Sequence, residues 1–404
     1  MDKQAAMEII REIATDLSEL GGRAYFAGGH VRDKLLGIDS GDIDIAVEGL
    51  PFESVLGVLS KRAEKFTPQP VGGKFACVIA EIAGLKVDFA LCRAERKMGE
   101  AHSEFDLSFD VSIQEDLKRR DLRINAMAID VLTGELFDPF GGRSDLLKRV
   151  ADNVSFEFDE DPVRTIRAAR FISRFRLAAT TRLKATCLFM DSASVPAEMA
   201  GEEFKKMVRQ AADFKLFFDF LNDVGWISPH FKEFKKRLGK VGSAKAEGSF
   251  EFRLISLLSV LGPKDSKKFL RRNKVFSEKK IKAIACVLKE KNKLLSFSES
   301  YCNGDKLPLI KFLRRLEKAG LSFESFVALN GGEGGFLSEA ALREQAGLKP
   351  IISGADLISA GLKPGPRFKD ILGFCLEAQD RGELVQENKQ AFLRRLVAKD
   401  SKLG

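Results

Sequence analysis

The sequence predicts an α+β protein, in which a small mixed sheet with helices packed on it is followed by an all-helical remainder. Two observations carry this. Through about residue 150, short runs rich in Val, Ile and Phe, bounded by Gly or Asp, are interleaved with helical patterns. From Pro162 onward apolar residues recur at helical spacing, as in Val163, Ile166, Ala169, Phe171 and Phe175, and again through 214–221. At 404 residues the chain also exceeds what one hydrophobic core organises, so roughly two to four units are expected.

Taken in order, the strands are expected at 25–27, 43–47, 77–82, 85–91 and 126–131. Helices are expected at 3–20, 31–36 and 52–65. The Gly-containing segments 239–248 (GKVGSAKAEG) and 331–335 (GGEGG) read as turns or linkers between helical blocks. No fixed-period repeat is present.

Composition excludes several classes. Hydrophobic residues at 45% and charged residues at 31% are globular values, and no apolar run approaches the roughly 20 residues of a membrane span. The first 20 residues read as a folded helix of a cytoplasmic protein, because they lack the basic, apolar and small-residue zones of a signal peptide. The 6 cysteines form no CxxC pair, and the 3 histidines form neither HExxH nor a His-Asp doublet, which argues against a disulfide framework and against zinc hydrolysis. The net charge of +8 concentrates at 232–240 and 264–280, as attraction to a phosphate backbone would favour, although solvated helix faces look the same.

Four motifs carry chemistry. In Gly28-Gly29-His30-Val31-Arg32-Asp33, between a strand and a helix, paired glycines allow close approach of phosphate oxygens. The helix start adds N–H groups and Arg32 adds a charged donor. In Asp42-Ile43-Asp44, residues two apart on a strand share a face, so both carboxylates converge while Ile43 and Ile45 enter the core. Carboxylates this close repel unless a cation lies between them, and hard oxygen ligands suit magnesium. A two-metal site would activate an attacking hydroxyl and stabilise a leaving pyrophosphate. Asp88, on a later strand, is placed to reach the same metals; Asp-x-Asp is also frequent in solvated turns.

In Arg119-Arg120-Asp121-Leu122-Arg123-Ile124-Asn125, the arginines suit phosphates, while Asp121 and Asn125 suit ribose hydroxyls. In Glu160-Asp161-Pro162-Val163-Arg164, Pro162 fits a first helical turn with Asp161 near the N-cap. Spacing of three then stacks Arg164, Arg167 and Arg170 along one face. Such a cationic ridge is costly unless anions neutralise it.

In this order, FAGGHVRDKLLG, DIDIAVEG, EDLKRRDLRINAMAID, FDPFGGRSDLL and EDPVRTIRAARFISRF resemble the bacterial class II tRNA CCA-adding enzymes and their poly(A) polymerase relatives. The C-terminal 354–366 stretch is similar to their tail. The resemblance implies a head of the DNA polymerase beta type at 1–148, followed by a helical neck at 149–225, a body at 226–335 and a tail at 336–404. It implies Mg2+ on Asp42 and Asp44, and nucleotide contacts from Gly28, Gly29, Arg32, Arg120, Arg167 and Arg170. Arg119, Asp121 and Asn125 would lie against the triphosphate and ribose, and 138–146 would join head to neck.

By the same resemblance Asp161 and Arg164 serve as a protein template. Cytosine and adenine each present an amine beside a ring acceptor, so an aspartate acceptor next to an arginine donor fits both; guanine and uracil leave the side chains mismatched. The implied partners are tRNA, CTP and ATP, with no membrane and no obligate protein partner. The sequence departs from the family at Arg123, where threonine is common, at His30, and in helix 202–207, which lacks the expected arginine and later glutamate.

The stretch from Cys92 to Gln114 resembles the flexible loop of members that finish with adenosine, which disfavours a CC-only enzyme. An A-adding specialist keeps every motif named. A poly(A) polymerase fits less well, because 71–81 lacks the His-Val signature of that branch. A noncatalytic RNA-binding protein would have no need of paired carboxylates.

Overall fold

The structure, a computed structural model, describes residues 3–39, 41, 43–71, 74–97, 105–109, 111–290, 294–319, 323, 349–362, 364–365 and 367–400. The chain forms two compact units, residues 1–246 and 247–404.

The first unit opens with helix α1 (Lys3–Glu19), strand β1 (Arg23–Ala27), helix α2 (Gly29–Leu35) and strand β2 (Ile43–Glu48). Helix α3 (Phe52–Arg62) leads into strands β3 (Lys65–Val71), β4 (Lys74–Ile82) and β5 (Leu85–Leu91). A separate antiparallel pair, β6 (Ala94–Lys97) and β7 (Phe105–Ser108), precedes helix α4 (Ile113–Lys118), β8 (Ala128–Asp130) and β9 (Leu136–Phe137).

Seven strands make one mixed sheet in the order β3-β4-β5-β2-β1-β8-β9, in which β2 and β5 are parallel and the other pairs antiparallel. Alternation builds the core on one face: Ile43, Ile45 and Val47 of β2 and Val87, Phe89 and Leu91 of β5 are buried. Helices α1 and α3 pack on each other and on β1 and β4; α1 contributes Ile10, Ile13 and Leu17 to the core. On the opposite face Tyr25, Ala27 and Ala46 meet Ile113 and Leu117 of α4.

Strand β3 was not expected; the helix predicted through residue 65 ends at Arg62. Pro68 and Pro70 mask it, and they are tolerated because β3 is an edge strand with a bulge between Gln69 and Pro70.

Helix α5 (Gly142–Lys148) and a parallel pair, β10 (Val150–Ala151) with β11 (Ala178–Ala179), lead into the helical part. It contains α6 (Val163–Phe175), α7 (Thr181–Phe189), α8 (Ala197–Gln210), α9 (Phe214–Asp223), α10 (Lys232–Lys235) and α11 (Leu238–Val241). Phe231 and Phe234 pack on Phe217 and Phe218 of α9, so residues beyond 226 still belong to this unit.

The second unit is helical: α12 (Phe250–Ser259), α13 (Gly262–Arg272), α14 (Glu278–Lys289), α15 (Leu294–Cys302), α16 (Leu307–Ala319), α17 (Gly354–Ser359), α18 (Phe368–Asp380) and α19 (Lys389–Asp400). Leu357, Leu362, Cys375, Leu384 and Leu393 form the core of its C-terminal part. Segment 331–335, expected as a linker, lies outside the described residues. Among the described residues no helix is long and apolar enough to cross a membrane.

Candidate active site

The two parallel strands at the centre of the sheet bring the carboxylates together. Asp44 of β2 and Asp88 of β5 are register partners and therefore emerge side by side on the face opposite the α1 and α3 core. Cys77 of β4 looks onto them: burial pushes its thiol pKa up, and the negative charges of Asp88 and Asp44 push in the same direction. Asp42, the first of the expected metal ligands, lies outside the described residues. Adjacent carboxylates at partner positions repel, and a hard divalent cation is the species that such an oxygen pair suits. The two described carboxylates are thus oxygen donors of the kind a divalent cation takes.

Helix α4 covers the same face further along β2 and delivers the arginine pair. Ser112 caps it by accepting from the Glu115 N–H. Asp116, which the sequence reading passed over, holds both arginines: Oδ1 lies 2.6 Å from Arg119 Nη2, and Oδ2 lies 3.0 Å from Arg120 Nη2. The same carboxylate accepts from the Arg93 N–H, and Arg119 Nε donates back to the Arg93 carbonyl at 3.0 Å. Burial raises the Asp116 pKa, but Arg120 and then Arg119 outweigh it and bring it to about 2.

The glycine pair meets this group directly. Gly28 has φ +64°, a backbone conformation that favours glycine, and a Cβ there would displace the Arg120 guanidinium. At Gly29 the nearest side-chain atom is Arg32 Nη2, at an ordinary 3.5 Å. Helix α2 spans only seven residues, so attraction for an anion here rests on the arginines more than on a helix dipole.

Arg32 is enclosed, only 4% exposed, with its guanidinium on Asp33 Oδ1 at 2.7 Å and over the rings of Phe171 and Phe175 at 5.1 and 4.8 Å. It also donates to Asn125 Oδ1. Asn125 in turn donates to Asp121 at 2.8 Å, and Asp121 binds Arg167 Nη2 at 2.8 Å. Burial opposes ionisation of Asp121, yet Arg167, Asn125 and the Leu122 N–H hold its pKa far below the usual carboxylate range.

The arginine ridge of α6 is thus met by carboxylates of the protein itself. Arg167 has Asp121, and Arg174 has Asp33 at 3.0 Å. Arg170 has Glu203 of α8 at 2.6 Å and Gln210 at 3.0 Å. Helix α8 therefore supports α6 through Glu203 and Gln210, despite its departure from the family pattern. At the start of α6, Asp161 Oδ1 accepts from the Val163 N–H at 2.9 Å, and Arg164 donates to the Glu157 carbonyl. Arg123, in the place of the common threonine, reaches Asp152 at 3.2 Å and Asp145 at 4.0 Å, tying the RRD segment to α5 and β10. His30 is buried, with its ring centroid 5.0 Å from that of Phe26.

A mixed sheet with paired carboxylates on one face, flanked by a glycine turn and an arginine pair, defines a nucleotidyltransferase head. Residues 24–151 match the poly(A) polymerase head domain. Over 387 residues the chain is 31% identical to the CCA-adding enzyme of Pseudomonas putida, covering 89% of this chain and 99% of that protein. This chain belongs to the family of CCA-adding enzymes. It is also 33% identical over 230 residues to the multifunctional CCA protein of Haemophilus ducreyi, covering 55% of this chain and 53% of that one. The chain thus spans about half the length of this and similar multifunctional relatives. The crystal structure of the Bacillus stearothermophilus CCA-adding enzyme in complex with CTP matches with a TM-score of 0.69 at 26% identity, covering 100% of both chains. Nucleotidyltransferases of this family generally use divalent metal ions.

Proposed function

We propose that the protein is a template-independent tRNA nucleotidyltransferase that adds CCA, from CTP and ATP, to the tRNA 3′ end and releases pyrophosphate. The observation that carries this reading is the pairing of Asp44 with Asp88 across parallel strands, on the face to which α4 brings Arg119 and Arg120. Asp42, Asp44 and Asp88 are the catalytic carboxylates, and Asp42 and Asp44 would hold Mg2+. Bound there, the ion would supply Lewis-acid activation of the attacking hydroxyl and charge neutralisation at the leaving group.

The chain's own residues do the rest. Gly28 and Gly29 let the triphosphate approach the backbone closely. Arg119, Arg120 and Arg167 remain partly exposed beside it and supply positive charge where negative charge develops. Asp121, Asn125 and Arg32 are held to one another and nearly enclosed, so they form a fixed wall beside sugar and phosphates at no further cost in ordering. Asp161 and Arg164 read the base, with Arg170 behind them. The helical body and tail regions hold the RNA through phosphates and shape. The substrates and the six unpaired thiols are in keeping with the cytoplasm.

The test uses tRNA lacking three, two or one terminal nucleotides, incubated with Mg2+, CTP and ATP, with product lengths as the readout. Full CCA on every substrate is expected; extension only of the last would instead identify an A-adding specialist. Asp44→Ala should abolish incorporation while tRNA affinity stays within about twofold. Undiminished incorporation would remove the catalytic reading.

A further inference from the structure

Arg167 and Arg174 lie seven residues apart on α6, two turns along one face. From Arg174 Nη2 the chain of contacts runs to Asp33 Oδ2 at 3.0 Å, and from Asp33 Oδ1 to Arg32 Nε at 2.8 Å. Arg32 donates to Asn125, Asn125 donates to Asp121 at 2.8 Å, and Asp121 accepts from Arg167 Nε at 2.9 Å. Six side chains thus form a closed circuit that leaves α6 at Arg174, passes through α2 and the RRD segment, and returns to α6 at Arg167. Its interior members, Arg32, Asp33, Asp121 and Asn125, are all buried.

The composition of this circuit is constrained. Asn125 must accept on one side and donate on the other, which only an amide does at that place; a carboxylate there would face Asp121. Three arginines against two aspartates leave a net charge of +1 beside the nucleotide site. Arg174 stands near the end of the EDPVRTIRAARFISRF motif with no role assigned to it, and Asp33 served only to complete a motif.

We infer that Asp33 and Arg174 are positioning residues for the transfer reaction: by closing the circuit they fix the α6 helix, which carries Arg164 and is preceded by Asp161, relative to the glycine turn and arginines that take the triphosphate. One end of α6 then reads the base while its other end is locked to the group that holds the phosphates. This rests on the proposed nucleotidyl transfer.

The test compares Arg174→Gln, Arg174→Lys, Asp33→Asn and the double variant Asp33→Asn with Arg174→Gln, each as the full-length protein. The measurements are kcat and KM for CTP on tRNA lacking CCA, equilibrium CTP affinity, and Tm. Misplacement of reacting groups by even an ångström costs on the order of a hundredfold in rate. Arg174→Gln is therefore expected to lower kcat by about tenfold or more, with KM and CTP affinity within about threefold. Arg174→Lys should recover part of the loss. The double variant should be no slower than Asp33→Asn alone, since both changes break the circuit at one carboxylate. An unchanged kcat in Arg174→Gln, a loss that follows Tm alone, or strictly additive losses would overturn the inference. If Arg174→Gln does not fold, the Arg174→Lys values decide by the same criteria. A wild-type protein that incorporates no CTP would instead remove the proposed function, leaving the circuit a purely structural feature.

Discussion

Asp116 shows how one buried side chain serves several functional ones. Its carboxylate is 2% exposed, and it gathers Arg119, Arg120 and the Arg93 N–H. The folded-state pKa of about 2 lies below the ordinary 3.8, so the group is a depressed-carboxylate case. Its contribution to stability, about 2 kcal/mol by linkage, is fully present above the unfolded value and is lost as pH falls through 3.8 toward 2. Asp116→Asn leaves two arginines facing each other without their anion, and breaking one partner of a buried pair costs about 3–5 kcal/mol. We expect a lower Tm at neutral pH, a smaller loss of stability between about pH 4 and pH 2 than in the wild type, and a higher KM for nucleotide because Arg120 no longer lies over Gly28. Acid unfolding followed by circular dichroism checks this; identical acid transitions in the two proteins would refute it.

At the scale of elements, α6 and α8 form one functional pair, because Arg170 of α6 is buried against Glu203 of α8. Burial pushes the Glu203 pKa up, but Arg170 and Lys206 bring it below the ordinary value, while burial pulls that of Arg170 down. Glu203→Gln keeps the shape and removes the charge, so it should destabilise by about 3–5 kcal/mol and raise KM for CTP and ATP alike, as read from thermal melts and initial rates. A selective loss of only one nucleotide would refute a shared supporting role.

Which elements were legible follows from their chemistry. Alternating apolar residues, Ile43, Ile45 and Val47 in β2 and Val87, Phe89 and Leu91 in β5, made both strands plain, and in β2 Asp44 lies on the face away from Ile43 and Ile45. Strand β3 was masked by its two prolines, and α4 by its length of six residues, although Ser112 followed by Glu115 is a helix-start signal. The arginine spacing on α6 was readable as well. Its partners Asp33, Asp121 and Glu203 are between 33 and 141 residues away in sequence, and no local pattern announces such pairings.

For the whole molecule, the net charge of +8 has a specific location in the second unit. Helix α13 buries Ser266, Phe269 and Leu270 while Lys264, Lys268 and Arg271 line its exposed side at spacings of four and three. Arg271 is paired with Glu278, so the cations on this side better placed to meet an anion are Lys264 and Lys268. A solvated face and a phosphate-binding face look alike in sequence; they differ in how binding responds to salt. Each phosphate neutralised releases condensed counterions, so the logarithm of affinity falls with the logarithm of salt, with a slope of roughly one per contact. If the helical units hold tRNA as proposed, affinity should fall steeply between about 50 and 200 mM salt. Replacing Lys264 and Lys268 together by Gln should reduce that slope by about two without changing the length of the product made at saturating tRNA. The measurement is filter binding across a salt series for both proteins. Equal slopes would show that α13 presents only a solvated face and that the RNA is held elsewhere. A shallow slope already in the wild type would count against backbone-directed tRNA binding by this protein.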